Sequence, residues 1–210
     1  VLRRWLGEEG KASSQRSSVA MAFRETQSGS AGATTGVNNL DLPGIMALAE
    51  FYGAEVLVDD AHSFGVLGEL GGGTAQHFHL EDRVSLIMAT FSKSLASIGG
   101  MIAGPEDVIH YLKHHARSLI FSASCPASAV AAAIAALDVI ESEPERRARL
   151  WHNTRRMQDG LRSLGYDIGG SDTPIIPVQI GEMESMLVFW KEIFVAGVFT
   201  RFSYMLFVGS

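Results

Sequence analysis

The chain has 210 residues, 47 % of them hydrophobic and 19 % charged, with a formal net charge of -6. This composition excludes an intrinsically disordered chain, and the length suits one large domain or one domain plus part of another. The acidic balance argues against non-specific binding to nucleic acid or to an anionic membrane, but leaves room for a locally positive anion site.

Residues 11–41 are rich in Ser, Thr, Gly and Asn with no sustained period, so residues 1–41 are expected to be poorly ordered and are assigned to no domain. The basic N-terminus has no apolar segment behind it, so no secretory signal is expected. Order is predicted from LPGIMALAEFYG, a helix with Pro43 near its start, Ile45, Leu48 and Ala49 on one face and Gly53 as its stop. EVLVDD follows as a short, fully buried strand, and the pair makes an α/β unit. VSLIMATFSK is a second buried strand, ending at Thr90 to Lys93, and GGMIAGP a third. PEDVIHYLKHHARS reads as a helix with acids early and bases late.

PASAVAAAIAALDVIESEP is predicted to be a mostly buried helix; Pro126 and Asp138 speak against a membrane span. PERRARLWHNTRRMQDGLRSLG is a long amphipathic helix with Leu150, Met157 and Leu161 near one stripe and Gly165 as its stop. TPIIPVQI, with Pro174 and Pro177, is predicted as an edge strand, MESMLVFWKEIFVAG as a helix and VFTRFSYMLFV as a last strand. Residues 42–143 thus form one domain, and residues 144–210 a connecting helix with part of a smaller one. The single cysteine, Cys125, excludes an internal disulfide framework, fits a reducing, cytoplasmic compartment and reads as a buried small side chain. His77 with His79, and His110 with His114, lack a carboxylate or thiolate set and read as solvated faces, so no metal is expected. Trp151 and Trp190 read as packing residues.

Ligands of open α/β sheets bind beyond the carboxyl ends of the strands. Two strands here end in reactive groups: Asp59, Asp60 and His62 on one, Thr90, Ser92 and Lys93 on the other. A lysine straight after a buried strand is partly desolvated, which favours the neutral amine that attacks carbonyls and forms Schiff bases. A carboxylate in a dry pocket needs a cation, and the protonated ring nitrogen of pyridoxal phosphate would be one. The hydroxyls of Thr90 and Ser92 could bond its phosphate. Only one of Asp59 and Asp60 can face such a pocket, because successive strand residues point to opposite sides.

VLVDDAHSFGVLG, ATFSKSLASIGGMIAG and LIFSASCPAS resemble the α-oxoamine synthase family of pyridoxal-phosphate enzymes, over about Leu42 to Thr200. The wording TFSKSLAS and TPIIPVQIG leans toward its serine palmitoyltransferase-like members. The resemblance implies the fold-type I, aspartate-aminotransferase-like α/β architecture with a largely parallel sheet, residues 42–143 being the C-terminal half of the large cofactor domain. It implies pyridoxal 5'-phosphate as cofactor, a homodimer, and decarboxylative condensation of an amino acid, serine- or glycine-like, with an acyl-CoA. By that resemblance Lys93 holds the cofactor covalently, Asp59 pairs with the ring nitrogen and His62 lies beside the ring hydroxyl. Thr90 and Ser92 contact the phosphate, Ser122 or Ser124 does so from the other subunit, and Arg201 binds the substrate carboxylate.

Family members are about twice this length, and residues 1–41 do not resemble their phosphate loop or ring-stacking residue. TTGVNN stands where the family has Ser-Met-Asp-Gly, and GVFTRFSYM lacks the proline-rich spacer that normally precedes Arg201. The chain therefore reads as a truncated copy. Two alternatives to the acyltransferase stay open: an inactive fragment or non-catalytic partner subunit of this fold, and another fold-type I enzyme such as an aminotransferase.

Overall fold

The computed structural model describes the backbone of residues 20–23 and residues 41–170 and 173–200. These form two compact units: residues 20–23 with 41–148, and residues 149–200.

The first unit is built on a four-stranded sheet in the order β1 (Ala20–Phe23), β2 (Glu55–Asp59), β3 (Leu86–Thr90), β4 (Gly100–Ala103). The first three strands are parallel, and β4 runs antiparallel to β3. β1 corrects the expectation of an irregular run over residues 11–41. Its ladder with β2, from Ala20 opposite Glu55 to Phe23 opposite Val58, supplies order that its own four residues do not signal.

Helix α1 (Leu42–Tyr52) packs on β2. It is capped by Asp41, whose Oδ1 accepts from the Gly44 N–H at 2.9 Å, and it stops at Gly53 as expected. Its buried residues are Leu42, Met46 and Ala49, so the inward face is rotated from the expected one, and Leu48 is exposed. β2 and β3 each alternate half-buried and buried residues, with Val56, Val58, Ile87 and Ala89 on the buried face. Their apolar character therefore reflects burial chiefly on one face rather than on both.

The four-residue helix α2 (Thr74–His77) lies between β2 and β3. After β4 come α3 (Glu106–His115), α4 (Arg117–Ile120), α5 (Ala127–Ser142) and α6 (Glu145–Ser163). The unit's core joins Phe64, Ala89, Leu95 and Ala133, with Met101, Leu137 and Ile140 packed against them. α5 is not the mostly buried helix expected: only Ala133 is buried and Ile134 is exposed. Alanine favours the helix without demanding that every side be covered. Cys125 is likewise exposed rather than buried, its Sγ 3.2 Å from the Ile98 carbonyl.

The glycine-rich run between β2 and α2 is fastened by side chains. Gln76 Oε1 accepts from the N–H groups of Leu70 and Gly72, each at 2.9 Å. Arg147 donates to the carbonyls of Ile140 (3.0 Å) and Glu69 (2.9 Å). His77, His79, His110 and His114 are exposed.

In the second unit, Thr154, Gln158, Ile168 and Thr173 are buried. Gln158 Nε2 donates to the Thr173 carbonyl at 3.3 Å. The expected stripe on α6 is not its buried side: Met157 is 52 % exposed. Met157 and Leu161 instead line an open groove of about 400 Å³. TPIIPVQI is no strand, because Pro174 and Pro177 have no N–H to give a ladder. Helix α7 (Met183–Val195) forms as predicted; its Trp190 stacks on Phe194 and donates to the Thr200 carbonyl at 2.9 Å. Residues 198–200 have no regular structure, and the rest of the expected last strand, with Arg201, lies outside the described residues. No helix among the described residues is long and apolar enough to cross a membrane.

Candidate active site

Parallel pairing brings the carboxyl ends of β2 and β3 to the same side of the sheet. Asp59 stands opposite Met88, and Met88 and Thr90 share the half-buried face of β3. Asp59 and Thr90 therefore lie on one open face, two positions apart along the strands. Asp60 continues the buried face of Val56 and Val58 and has no exposed surface. The alternation of a strand thus separates two adjacent carboxylates into two environments.

Past β3 the chain turns back through residues 91–99 into β4. Phe91 N–H donates to Gly99 O (2.9 Å), Ser97 N–H to Phe91 O (2.7 Å) and Ala96 N–H to Lys93 O (3.0 Å). The last of these turns puts Ala96 at φ 47°, in the left-handed region. Thr90 Oγ1 and Ser92 Oγ are 2.8 Å apart, and the Ser92 N–H also points at Thr90 Oγ1, at 3.3 Å. Lys93 follows directly, exposed at the mouth of this turn and so not desolvated as expected, because the chain leaves the sheet before reaching it.

The turn after β2 carries His62. Asp59 Oδ1 accepts from the Ala61 N–H at 3.0 Å, which draws the chain over the strand end. Burial and the Lys93 ammonium hold the His62 imidazole below its ordinary value of 6.5, and Asp59 opposes them. His62 therefore feels both Lys93 and Asp59, and three of the expected residues share one electrostatic neighbourhood. A neutral imidazole beside a lysine amine can accept or donate a hydrogen bond without adding charge.

This set suits pyridoxal phosphate: a carboxylate for a cationic ring nitrogen, an amine for a carbonyl carbon, an imidazole, and two adjacent hydroxyls for an anion. Ser122 and Ser124 are not drawn into it by hydrogen bonds among the described residues. Ser122 is exposed and donates to the Ser118 carbonyl one turn back, and Ser124 is exposed. Arg201 lies outside the described residues. The sequence reading named Asp60 only as a strand-end acid and missed Ser63, Thr74 and Ser94, since the bonds from Thr74 to Asp60 and from Ser94 to Phe64 span 14 and 30 residues.

A model of the aminotransferase class I and II family matches residues 35–205. The chain belongs to that family. A serine palmitoyltransferase from Sphingobacterium spiritivorum is 50 % identical over 151 residues, which cover 72 % of this chain and 37 % of that protein. An 8-amino-7-oxononanoate synthase from Thermoanaerobacter pseudethanolicus is 42 % identical over 173 residues, 80 % of this chain and 44 % of that protein. Both relatives are α-oxoamine synthases, so the resemblance read from the motifs holds. A solved serine palmitoyltransferase variant from S. paucimobilis, with bound PLP-myriocin aldimine, superposes with a TM-score of 0.71 at 30 % identity. That match covers 77 % of this chain and 42 % of the other. The fold is that of the fold-type I pyridoxal-phosphate-dependent transferases. The chain spans less than half the length of these relatives.

Proposed function

We propose that this chain carries the lysine-bearing site of a pyridoxal-phosphate-dependent acyltransferase of the α-oxoamine synthase type. Its reaction condenses an amino acid, serine- or glycine-like, with an acyl-CoA, breaking the thioester so that CoA leaves as its thiol, and releases carbon dioxide. The observation that carries this reading is that Asp59 and the Thr90–Lys93 run leave the carboxyl ends of two paired parallel strands, with His62 in the turn after the first. When bound, pyridoxal phosphate supplies an electron sink for the pair left on the amino-acid Cα.

The chain's own residues do the rest. The Lys93 amine would hold the carbonyl carbon of the cofactor and would serve as the base that moves the Cα proton of the amino acid. Asp59 keeps a proton on the ring nitrogen by its negative charge. His62, whose proton affinity is lowered by burial and by Lys93, would orient the ring by a hydrogen bond. The hydroxyls of Thr90 and Ser92 donate to the phosphate. Arg201 receives the substrate carboxylate, and Ser122 or Ser124 serves the phosphate of a partner subunit in a homodimer. The exposed thiol of Cys125 fits a reducing, cytoplasmic setting.

The test mixes the purified chain with pyridoxal phosphate, follows the visible absorbance, reduces with borohydride and maps the pyridoxyl group by mass spectrometry. Label on Lys93 is expected; label on other lysines with none on Lys93 would overturn the assignment. Product analysis with serine and a long-chain acyl-CoA separates acyl transfer from amino transfer.

A further inference from the structure

We propose that Asp60 is a positioning residue: through Ser63 and Thr74 it holds the turn that sets His62 against Lys93 and Asp59. The proposal rests on the functional reading above and adds to it a residue that never meets the cofactor.

Asp60 and Ser63 bracket His62, and both are buried, at 0 % and 1 % exposure. Ser63 Oγ donates to Asp60 Oδ1 at 2.5 Å. The Thr74 N–H donates to both carboxyl oxygens, at 3.0 and 3.1 Å, and Thr74 Oγ1 donates to Ser63 Oγ at 2.9 Å. The backbone repeats the closure, with the Phe64 N–H on the Asp60 carbonyl at 3.0 Å and the Leu67 N–H on the Ser63 carbonyl at 2.8 Å. His62 therefore sits in a turn whose two flanks are fixed by one carboxyl group.

The surroundings are shaped to admit that group. Gly73 has φ 93°, and a Cβ there would lie 2.3 Å from Asp60 Oδ2. Only glycine lets the start of α2 approach the carboxyl so closely. No salt bridge reaches Asp60 among the described residues. Burial raises its proton affinity, and the bonds from Ser63 and Thr74 only partly offset this. A buried acid without a cation is a costly way to fill space, and an apolar side chain would do that alone at less cost. What an apolar side chain would not do is fix the direction of Ser63, and with it the peptide that carries His62.

The test reads His62 without the cofactor. The imidazole is followed by NMR in the chain labelled at histidine, and its signal is assigned by its loss in His62→Gln. In the parent chain His62 is expected to titrate below 6.5. Ser63→Ala and Asp60→Asn should move it up toward 6.5, because a loosened turn admits water and draws the ring away from Lys93. Thr74→Ser, which keeps the hydroxyl, should leave it in place. Met46→Ala, a core truncation on α1, should lower the melting temperature without moving the titration. Should Asp60→Asn fail to fold, Ser63→Ala decides alone, since it removes one oxygen and leaves the carboxyl. A folded Ser63→Ala chain whose His62 titrates as in the parent overturns the proposal and leaves Asp60 a purely structural acid. The readout does not depend on where pyridoxyl attaches, so either idea can fail without the other.

Discussion

Ser94 Oγ donates a 2.7 Å hydrogen bond to the carbonyl of Phe64, joining the turn after β3 to the turn after β2. Phe64 and Leu95, on either side of this bond, meet in the same core cluster. The bond thus clasps the segment that carries Lys93 to the one that carries His62. Gly65, next to Phe64, has φ 81°, and a Cβ there would lie 2.6 Å from Ser94 Cβ. Gly65→Ala is expected to cost about 1–3 kcal/mol from backbone strain, measured by urea unfolding, and to reduce pyridoxyl labelling of Lys93. A variant with parent stability would show that the clasp yields freely.

Asp59→Asn should separate stability from cofactor binding. The side chain is half-buried, and an amide oxygen can still accept from the Ala61 N–H. Stability is expected to change by no more than about 0.5 kcal/mol. Affinity for pyridoxal phosphate, read by absorbance titration, should fall by about 1.5–3 kcal/mol, the worth of a hydrogen bond to a charged group. Unchanged affinity would place the ring nitrogen elsewhere.

The pH dependence follows from His62, whose folded value lies below 6.5. As pH falls, the unfolded imidazole takes up its proton before the folded one does. The stability contributed by the neutral ring is complete above 6.5 and is lost as pH falls through the lower folded value. The melting-temperature advantage of the parent chain over His62→Asn should therefore shrink between about pH 8 and about pH 5. An advantage that stays constant or grows on acidification would contradict this sign.

Ala96, three residues after Lys93, carries backbone strain at φ 47°. An alanine in the left-handed region costs about 1–2 kcal/mol, part of which glycine gives back as chain entropy. Ala96→Gly should therefore stabilise the chain by up to about 1 kcal/mol in urea unfolding. If the strain serves to aim Lys93, labelling by pyridoxal phosphate falls while stability rises. A destabilised Ala96→Gly chain would mean that the strain is not relieved there.

Much of this was legible in the sequence because strand ends and helix ends carry local chemistry. Pro43 and Gly53 bound α1, and the apolar runs before Asp59 and Thr90 are strands. Asp59, His62, Thr90, Ser92 and Lys93 could be read as candidates because each stands at or just past a strand end. β1 could not be found in that way, since Ala20–Phe23 is four residues long and owes its order to a partner beginning at Glu55. α5 misled because an alanine-rich run states helix without stating what covers it. Asp60 looked like a spare acid, since its partner Thr74 lies 14 residues away, beyond a run of glycines.

Arg147 reaches the Glu69 carbonyl across 78 residues, whereas the Ser94–Phe64 bond closes 30 and the Asp60–Thr74 bond 14. Closing the longest of these loops costs about 0.8 kcal/mol more entropy than the 30-residue one. The two turns around the site can therefore already be formed at the rate-limiting barrier to folding, with the arginine strap fastening afterwards. Arg147→Ala should then speed unfolding and leave the folding rate nearly unchanged in stopped-flow urea experiments. A slowed folding limb would instead put the strap in the nucleus.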